Sequence, residues 1–409
     1  MPEYPIRIKV PEAQKLMLTE AEPVTAEELE LDMACDRVLA CDIKAEESIP
    51  PFDRSPLDGY AVRSEDTAGA SPESPVVLKI VEEVPAGYVA MKKTGKMEAT
   101  KILTGAPLPE GADAVIKFED TSFTEEEVRI FRSVKPGANI VKAGEDISAG
   151  SIILHKGDVL NPGRIGVLAG LGCKRITVYR KPLVRIISTG DELVDVKEKL
   201  SPGKIRNSSA YMLKAFLEKW GLDARIYGVV EDKKDQIENA IAECARDADC
   251  VITTGGASVG DYDFVLRSLE EIGARILFWR VQMKPGMATM AAKKDGVLLI
   301  GLSGNPSAAV AVLFAICLPV FRKMCGWSHF ELPRFQVLLP EGFGKRSPNG
   351  RVVPGRLEIR EGRPCMLVQQ NQSNGMISPW GDCNLIGLIP KGTEVLEKNS
   401  IIDAYFLAT

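Results

Sequence analysis

The sequence predicts a multidomain α/β plus β protein: a central α/β domain with a mostly parallel sheet, a β-rich insertion domain before it and a barrel-like β domain after it. Three observations carry this. The chain has 409 residues, and one hydrophobic core rarely grows past about 250–300 residues. Between about Pro182 and Gly326, short β-branched runs alternate with helical periodicity, the pattern of βαβ units. On both sides of that stretch the runs are strand-like and divided by Gly and Pro, which marks turns between short strands.

Taken in order, residues 1–50 and 147–180 carry mixed helical and strand signals and are expected to form one discontinuous N-terminal linker domain. Residues 51–146, with runs such as Val76–Val81 and Val128–Phe131, form the β-rich insertion. Residues 181–328 form the α/β domain, which opens with the strand Leu183–Ser188. The following helix places Leu213, Phe216, Leu217 and Trp220 at i, i+3, i+4 and i+7 before Gly221, one apolar face ended by a residue that tolerates a left-handed cap. A strand near Ala224–Val230 leads to a helix with Ile237, Ala240, Ile241 and Cys244 at the same spacing, then to Cys250–Thr254. A helix near Asp263–Ile272, strands at Ala274–Trp279 and Val297–Ile300, and a long helix from Pro306 complete the set. Residues 329–409, with strands at Phe335–Leu339, Cys365–Gln369 and Thr393–Leu396, form the terminal β domain.

Composition excludes several functions. The formal charge is −5, against a nonspecific nucleic-acid binder, which needs clustered cations to displace counterions. Nine scattered cysteines with no C-x-x-C pair give neither a disulfide framework nor a zinc site. The only histidines are His155 and His329, so acid-base and metal chemistry falls to carboxylates. Residues 1–21 have no apolar leader core, and the uncharged run Ser307–Phe321 is shorter than the roughly 20 residues that cross a bilayer. A cytoplasmic protein without a membrane partner is expected.

Chemistry is expected where Gly-rich turns follow strands, because open α/β sheets bind ligands beyond the carboxyl ends of their strands. Three such turns occur: Ser188–Glu192, Thr253–Asp261 and Gly301–Pro306. They put Thr189, Ser303 and Asn305 at turn tips, while Gly255, Gly256 and Gly260 permit close backbone approach and Thr254 and Ser258 supply hydroxyls. Neither a G-x-x-x-x-G-K-[ST] loop nor a G-x-G-x-x-G turn is present, which argues against P-loop NTP hydrolysis and dinucleotide redox chemistry. Asp191, Glu192, Asp232, Asp261 and Asp263 gather at these turns; hard oxygen ligands suit Mg²⁺ held together with substrate phosphates, and Glu192 and Asp232 are the expected ligands. Arg280 and Lys284, around a Pro285-Gly286 turn, offer two cations for an oxyanion.

Seven collinear motifs then carry a resemblance. They are Pro51–Val62, Thr104–Val115, Gly144–Asp146, Thr189–Leu193, Thr254–Asp263, Lys284–Gly286 and Gly304–Pro306. In order and spacing they resemble MoeA and the gephyrin E domain. The resemblance implies four domains in an elongated homodimer, and a molybdopterin-binding role for the α/β domain. It further implies insertion of molybdate into the dithiolene of adenylylated molybdopterin, with release of AMP and a divalent ion such as Mg²⁺ assisting. By motif, Asp58, Asp146, Glu192, Asp232 and Asp263 are its catalytic carboxylates, Lys284 the K-P-G lysine, and Arg356 and Ser373 its substrate-facing tail residues. Arg280 stands where the family often has Lys, and Ser303 where Pro commonly precedes G-N-P. Two other functions share these features. A molybdopterin adenylyltransferase has the same α/β domain but is typically a single domain, and is a possible partner; the gephyrin domain also serves as a non-enzymatic scaffold.

Overall fold

A computed structural model describes residues 4–256, 264–369 and 375–407. At its centre is a seven-stranded sheet in the order Ile6–Ile8, Arg275–Val281, Met290–Lys294, Val297–Leu302, Cys250–Thr254, Leu183–Thr189, Asp223–Val230. All neighbours are parallel except the two pairs made by Met290–Lys294. The register aligns Ser188 with Val229 and Thr254, and Thr254 with Leu302. The carboxyl ends of four parallel strands therefore lie side by side.

Helices cover both faces, as the alternation of the Leu183–Thr189 strand requires. Val184 and Ile186 pack in one cluster with Leu213, Leu217 and Phe321, while Ile187 packs in another with Ile237, Ile241 and Val265. The Ser208–Lys219 helix starts where Asn207 accepts the N–H of Ala210 at 3.3 Å and is followed by Gly221 at φ +86°. The run from Pro306 to Met324 is a core helix with 89% of its apolar window buried. A π segment at Leu313–Cys317 lets it accommodate Pro319, whose ring and missing N–H disturb regular α pairing.

Three departures from the expected layout have local causes. Ile6–Ile8 adds a strand to the sheet, pairing Ile6 with Trp279 and Ile8 with Val281. The Val10–Glu20 helix behind it buries Ala13 and Met17 completely in the α/β core. Residues 6–20 thus join the α/β domain and leave the linker domain to other pairings: Ala26–Glu30 with Arg175–Tyr179, and Ile43–Lys44 with Ile152–Leu154. Second, Met290–Lys294, a strand not expected from the sequence, forms an antiparallel hairpin with Val297–Leu302. Its turn is Asp295-Gly296, both with positive φ, the dipeptide that favours a tight hairpin. Third, the strand expected to stop at Trp279 continues to Val281, so Arg280 lies within it.

The insertion is a six-stranded sheet spanning Gly59 to Ile130. Beyond residue 334, five strands close into a barrel, because Gly350–Arg360 pairs with both Arg363–Val368 and Leu385–Ile389. Thr393 and Leu396, expected in a strand, make only isolated bridges to Ser347 and Phe343.

Candidate active site

Three Gly-rich turns meet at the carboxyl ends of the parallel strands and enclose a cleft of about 890 Å³. Glycine is needed because the turns touch backbone to backbone. At Gly255, φ +97°, a Cβ would lie 2.2 Å from the carbonyl oxygen of Thr189, and at Gly304 one would lie 3.3 Å from the Cα of Gly255. Thr189, Glu192, Asp232, Gly255, Gly256, Ser303 and Asn305, all expected from the sequence, line this cleft. Its far wall is Gly286, Met287 and Ala288. Gly375 and Ile377 of the C-terminal domain close one side, near Trp380, whose indole donates to Ser307 Oγ at 2.8 Å.

The electrostatics centre on Asp232. Among the described residues, one of its carboxylate oxygens is buried with no hydrogen-bond partner, as is the hydroxyl of Thr189. Burial pushes its pKa above the ordinary carboxylate value, and the charges of Asp191 and Glu192 push it further, partly offset by the nearby Thr189 hydroxyl and the Asp191 backbone. The Thr189 hydroxyl is thus close to the carboxylate without a hydrogen bond of ordinary geometry. Asp191 in turn accepts the N–H of Asp232 at 3.2 Å. An orphan buried carboxylate oxygen beside two further carboxylates is costly as it stands. A divalent cation would satisfy it, and one or two carboxylates plus ligand phosphates are a usual Mg²⁺ donor set. Among the described residues no group of three or more His, Cys, Asp or Glu has metal-holding geometry.

Other expected site residues fall elsewhere. Asp58, Asp146, Arg280, Lys284 and Arg356 are not part of the cleft lining. Asp58 and Asp146 are exposed in and beside the insertion, and Thr104 donates to the Asp58 carboxylate from its N–H and hydroxyl at 2.7 and 2.8 Å. The Arg280 guanidinium stacks on the Trp279 ring at 4.0 Å, with its backbone at φ +67°. Lys284 is exposed in a short strand paired with Arg351, two residues before the cleft wall begins at Gly286. Arg356 pairs with Glu358 at 3.1 Å on the barrel. Gly260, Asp261, Ser258, Asp263 and Ser373 lie outside the described residues. Thr254, expected to offer its hydroxyl to a ligand, is 1% exposed. It donates instead to Ser188 Oγ at 3.0 Å, which contacts Asn207 Oδ1 at 3.1 Å.

Two cations not singled out from the sequence, Lys204 and Arg206, line the cleft. Short parallel pairing of Leu193–Val194 with Ile205–Arg206 folds their loop back over it, and the Lys204 ammonium caps the Asp191 carbonyl. The only signal was their place directly before the Asn207 cap, at a strand's carboxyl end. The cleft thus offers carboxylates for a cation, two flexible cations and close-packed Gly turns for a phosphate.

Known proteins agree with this architecture. Residues 8–172 match the MoeA N-terminal region (domains I and II), and residues 185–323 match a family described as a probable molybdopterin binding domain. A molybdopterin biosynthesis MoeA protein of Pyrococcus horikoshii superposes with TM-score 0.85 at 29% identity, over 98% of this chain and 100% of that one. A molybdopterin molybdenumtransferase of Staphylococcus epidermidis is 37% identical over 97% of this chain and 94% of its own length, and one of Staphylococcus aureus is 36% identical over the same shares. With relatives of that identity along nearly its whole length, the chain belongs to the MoeA family of molybdopterin molybdenumtransferases, in molybdenum cofactor biosynthesis.

Proposed function

We propose that this protein inserts molybdate into adenylylated molybdopterin and releases AMP. The observation that carries the reading is the cleft itself, where a buried oxygen of Asp232 has no hydrogen-bond partner among the described residues at the meeting point of three Gly turns. Gly255, Gly256 and the Ser303–Asn305 turn allow a phosphate to approach the backbone. Glu192 and Asp232 would hold Mg²⁺, which when bound supplies Lewis-acid neutralisation of phosphate oxygens. Lys204 and Arg206 attract the anionic substrate and close over it, and Arg280 and Lys284 remain the cations proposed for molybdate, reached through the segment that ends at Gly286. Asp58 and Asp146 act on the cleft of a second copy, so the working form is a homodimer in the cytoplasm. Ser258, Asp263 and Ser373 complete the substrate contacts.

The decisive experiment supplies adenylylated molybdopterin, Mg²⁺ and graded molybdate and follows AMP. Molybdate-dependent AMP supports the proposal. Pyrophosphate released from ATP and unmodified molybdopterin, without molybdate-dependent AMP, would instead identify an adenylyltransferase.

A further inference from the structure

At the opposite end of the sheet, by the amino end of the Leu183–Thr189 strand, lies a second cavity of about 400 Å³. It sits between the linker segments 35–38 and 179–181 and the carboxyl ends of two helices, Ser208–Lys219 and Leu318–Met324. Three aromatic residues, Tyr179, Trp220 and Trp327, form much of its wall. Five cations line it, against the carboxylates of Asp36 and Glu218.

Some of these charges are already committed. Arg37 donates to Glu27 at 2.5 Å and to the Tyr179 carbonyl at 2.7 Å. Arg180 grips both oxygens of Asp249 at 2.6 Å. Glu218 is paired with Lys214. What remains in the lining is Arg322, Lys181, Lys219 and Asp36, and among the described residues none of those three cations has a carboxylate within 4.0 Å.

Arg322 is the unusual one. It is 6% exposed, burial holds its pKa below the usual arginine value, and its contacts are the Trp327 ring at 4.5 Å and the Glu331 carbonyl at 3.2 Å. Complementing the helix dipole accounts for a cation in a last helical turn, and it suffices for Lys219, which stays in solvent. It does not require sinking a guanidinium into a cavity wall, where an unpaired charge is unfavourable unless something anionic meets it. One donor in the same wall is unsatisfied among the described residues: Trp220 is 8% exposed and its indole N–H is buried with no acceptor.

We propose that this cavity binds a phosphate monoester that carries a planar ring. The phosphate meets Arg322 with Lys181 and Lys219 at the mouth, and the ring lies against the aromatic wall. The volume fits: ligand pockets start at about 300 Å³, far more than a bare oxyanion fills. Guanidinium suits phosphate because its fork donates two parallel hydrogen bonds.

Phenyl phosphate and inorganic phosphate serve as probes, titrated calorimetrically into the full-length protein. Phenyl phosphate should bind at least about tenfold more tightly than inorganic phosphate and quench tryptophan fluorescence. Arg322→Met should weaken it by about tenfold or more, the loss typical of one charge-assisted contact, with Arg322→Lys in between. Should Arg322→Met fail to fold, the surface pair Lys181→Ala and Lys219→Ala decides, with an expected weakening of about threefold or more. Asp232→Asn in the main cleft should leave the affinity unchanged. No binding at about 10 mM, well above the affinity range of a built pocket, would overturn the proposal. So would equal binding by the double lysine variant, or loss of binding in Asp232→Asn.

Discussion

Asp191 accepts the backbone N–H of Asp232 at 3.2 Å, so one carboxylate ties together the ends of two neighbouring parallel strands and places its charge beside another. Burial first, and then Asp191, raises the pKa of Asp232. A carboxyl whose folded pKa lies above its unfolded value near 3.9 favours the folded state below that value, and this contribution is lost as pH rises through the folded pKa. At neutral pH the ionised group is therefore a net cost in metal-free protein. Asp232→Asn should make the metal-free protein slightly more stable, by under about 1 kcal/mol because the site is only partly buried. Mg²⁺ should then raise the melting temperature of the parent more than that of the variant. Equal Mg²⁺ responses would remove the ion from Asp232.

The two glycines at the floor of the cleft differ in what they tolerate. Gly255 combines φ +97° with a Cβ position 2.2 Å from a backbone carbonyl, whereas Gly304 has a Cβ position with 3.3 Å of clearance. Gly255→Ala should lose about 1–3 kcal/mol in denaturant melts, since both strain and a clash must be relieved. Gly304→Ala should cost less than half as much. Similar losses for the two would mean the turns do not pack as described.

Arg206 and Lys204 reach the cleft by flexible stems from an exposed loop. Arg206→Ala should weaken binding of adenylylated molybdopterin by about tenfold, or roughly 1.4 kcal/mol, with melting temperature unchanged. A variant with parental affinity would leave Arg206 a solvated surface charge.

Much of this was readable from the residues. The three turns that build the cleft follow apolar strands, and Gly255 and Gly256 stand where a Cβ cannot, so the pattern alone placed Thr189, Gly255, Gly256 and Asn305 at the turns that line the cleft. Thr254 was misread because all five residues of its strand are buried, and a strand covered on both faces has no alternation to show which way a hydroxyl points. Ile6–Ile8 is too short to show a period, and its partner lies some 270 residues along the chain. Lys204 and Arg206 stand in a polar loop with no periodicity, and only the pairing at Leu193 brings them back to the cleft. The Thr254 reading has its own test. Thr254→Val breaks a buried hydroxyl chain that ends on the Asn207 helix cap, so it should destabilise by about 1–2 kcal/mol while substrate affinity is retained. Loss of affinity without loss of stability would restore Thr254 as a ligand.

Asp58 presents the sharpest question about assembly. Its carboxylate is solvent-exposed, held ionised below the usual carboxylate range by the Thr104 N–H and hydroxyl, and absent from the lining of its own chain's cleft. Asp146 is likewise exposed and outside it. If Asp58 serves a cleft as proposed, that cleft belongs to a second copy. Asp58→Asn should leave the melting temperature of the protein near the parental value, because an exposed carboxylate contributes little to folding, yet reduce AMP release strongly. Asp232→Ala should do the same from the other side. When the two variants are mixed and allowed to exchange subunits, about half of the protomers enter heterodimers, each with one cleft that receives an intact Asp58 and keeps an intact Asp232. One quarter of the clefts, and so about a quarter of parental AMP release, should return. A mixture shown by mass to contain heterodimers but still inactive would mean that each site is built within a single chain, and that Asp58 serves only to hold the turn at Thr104.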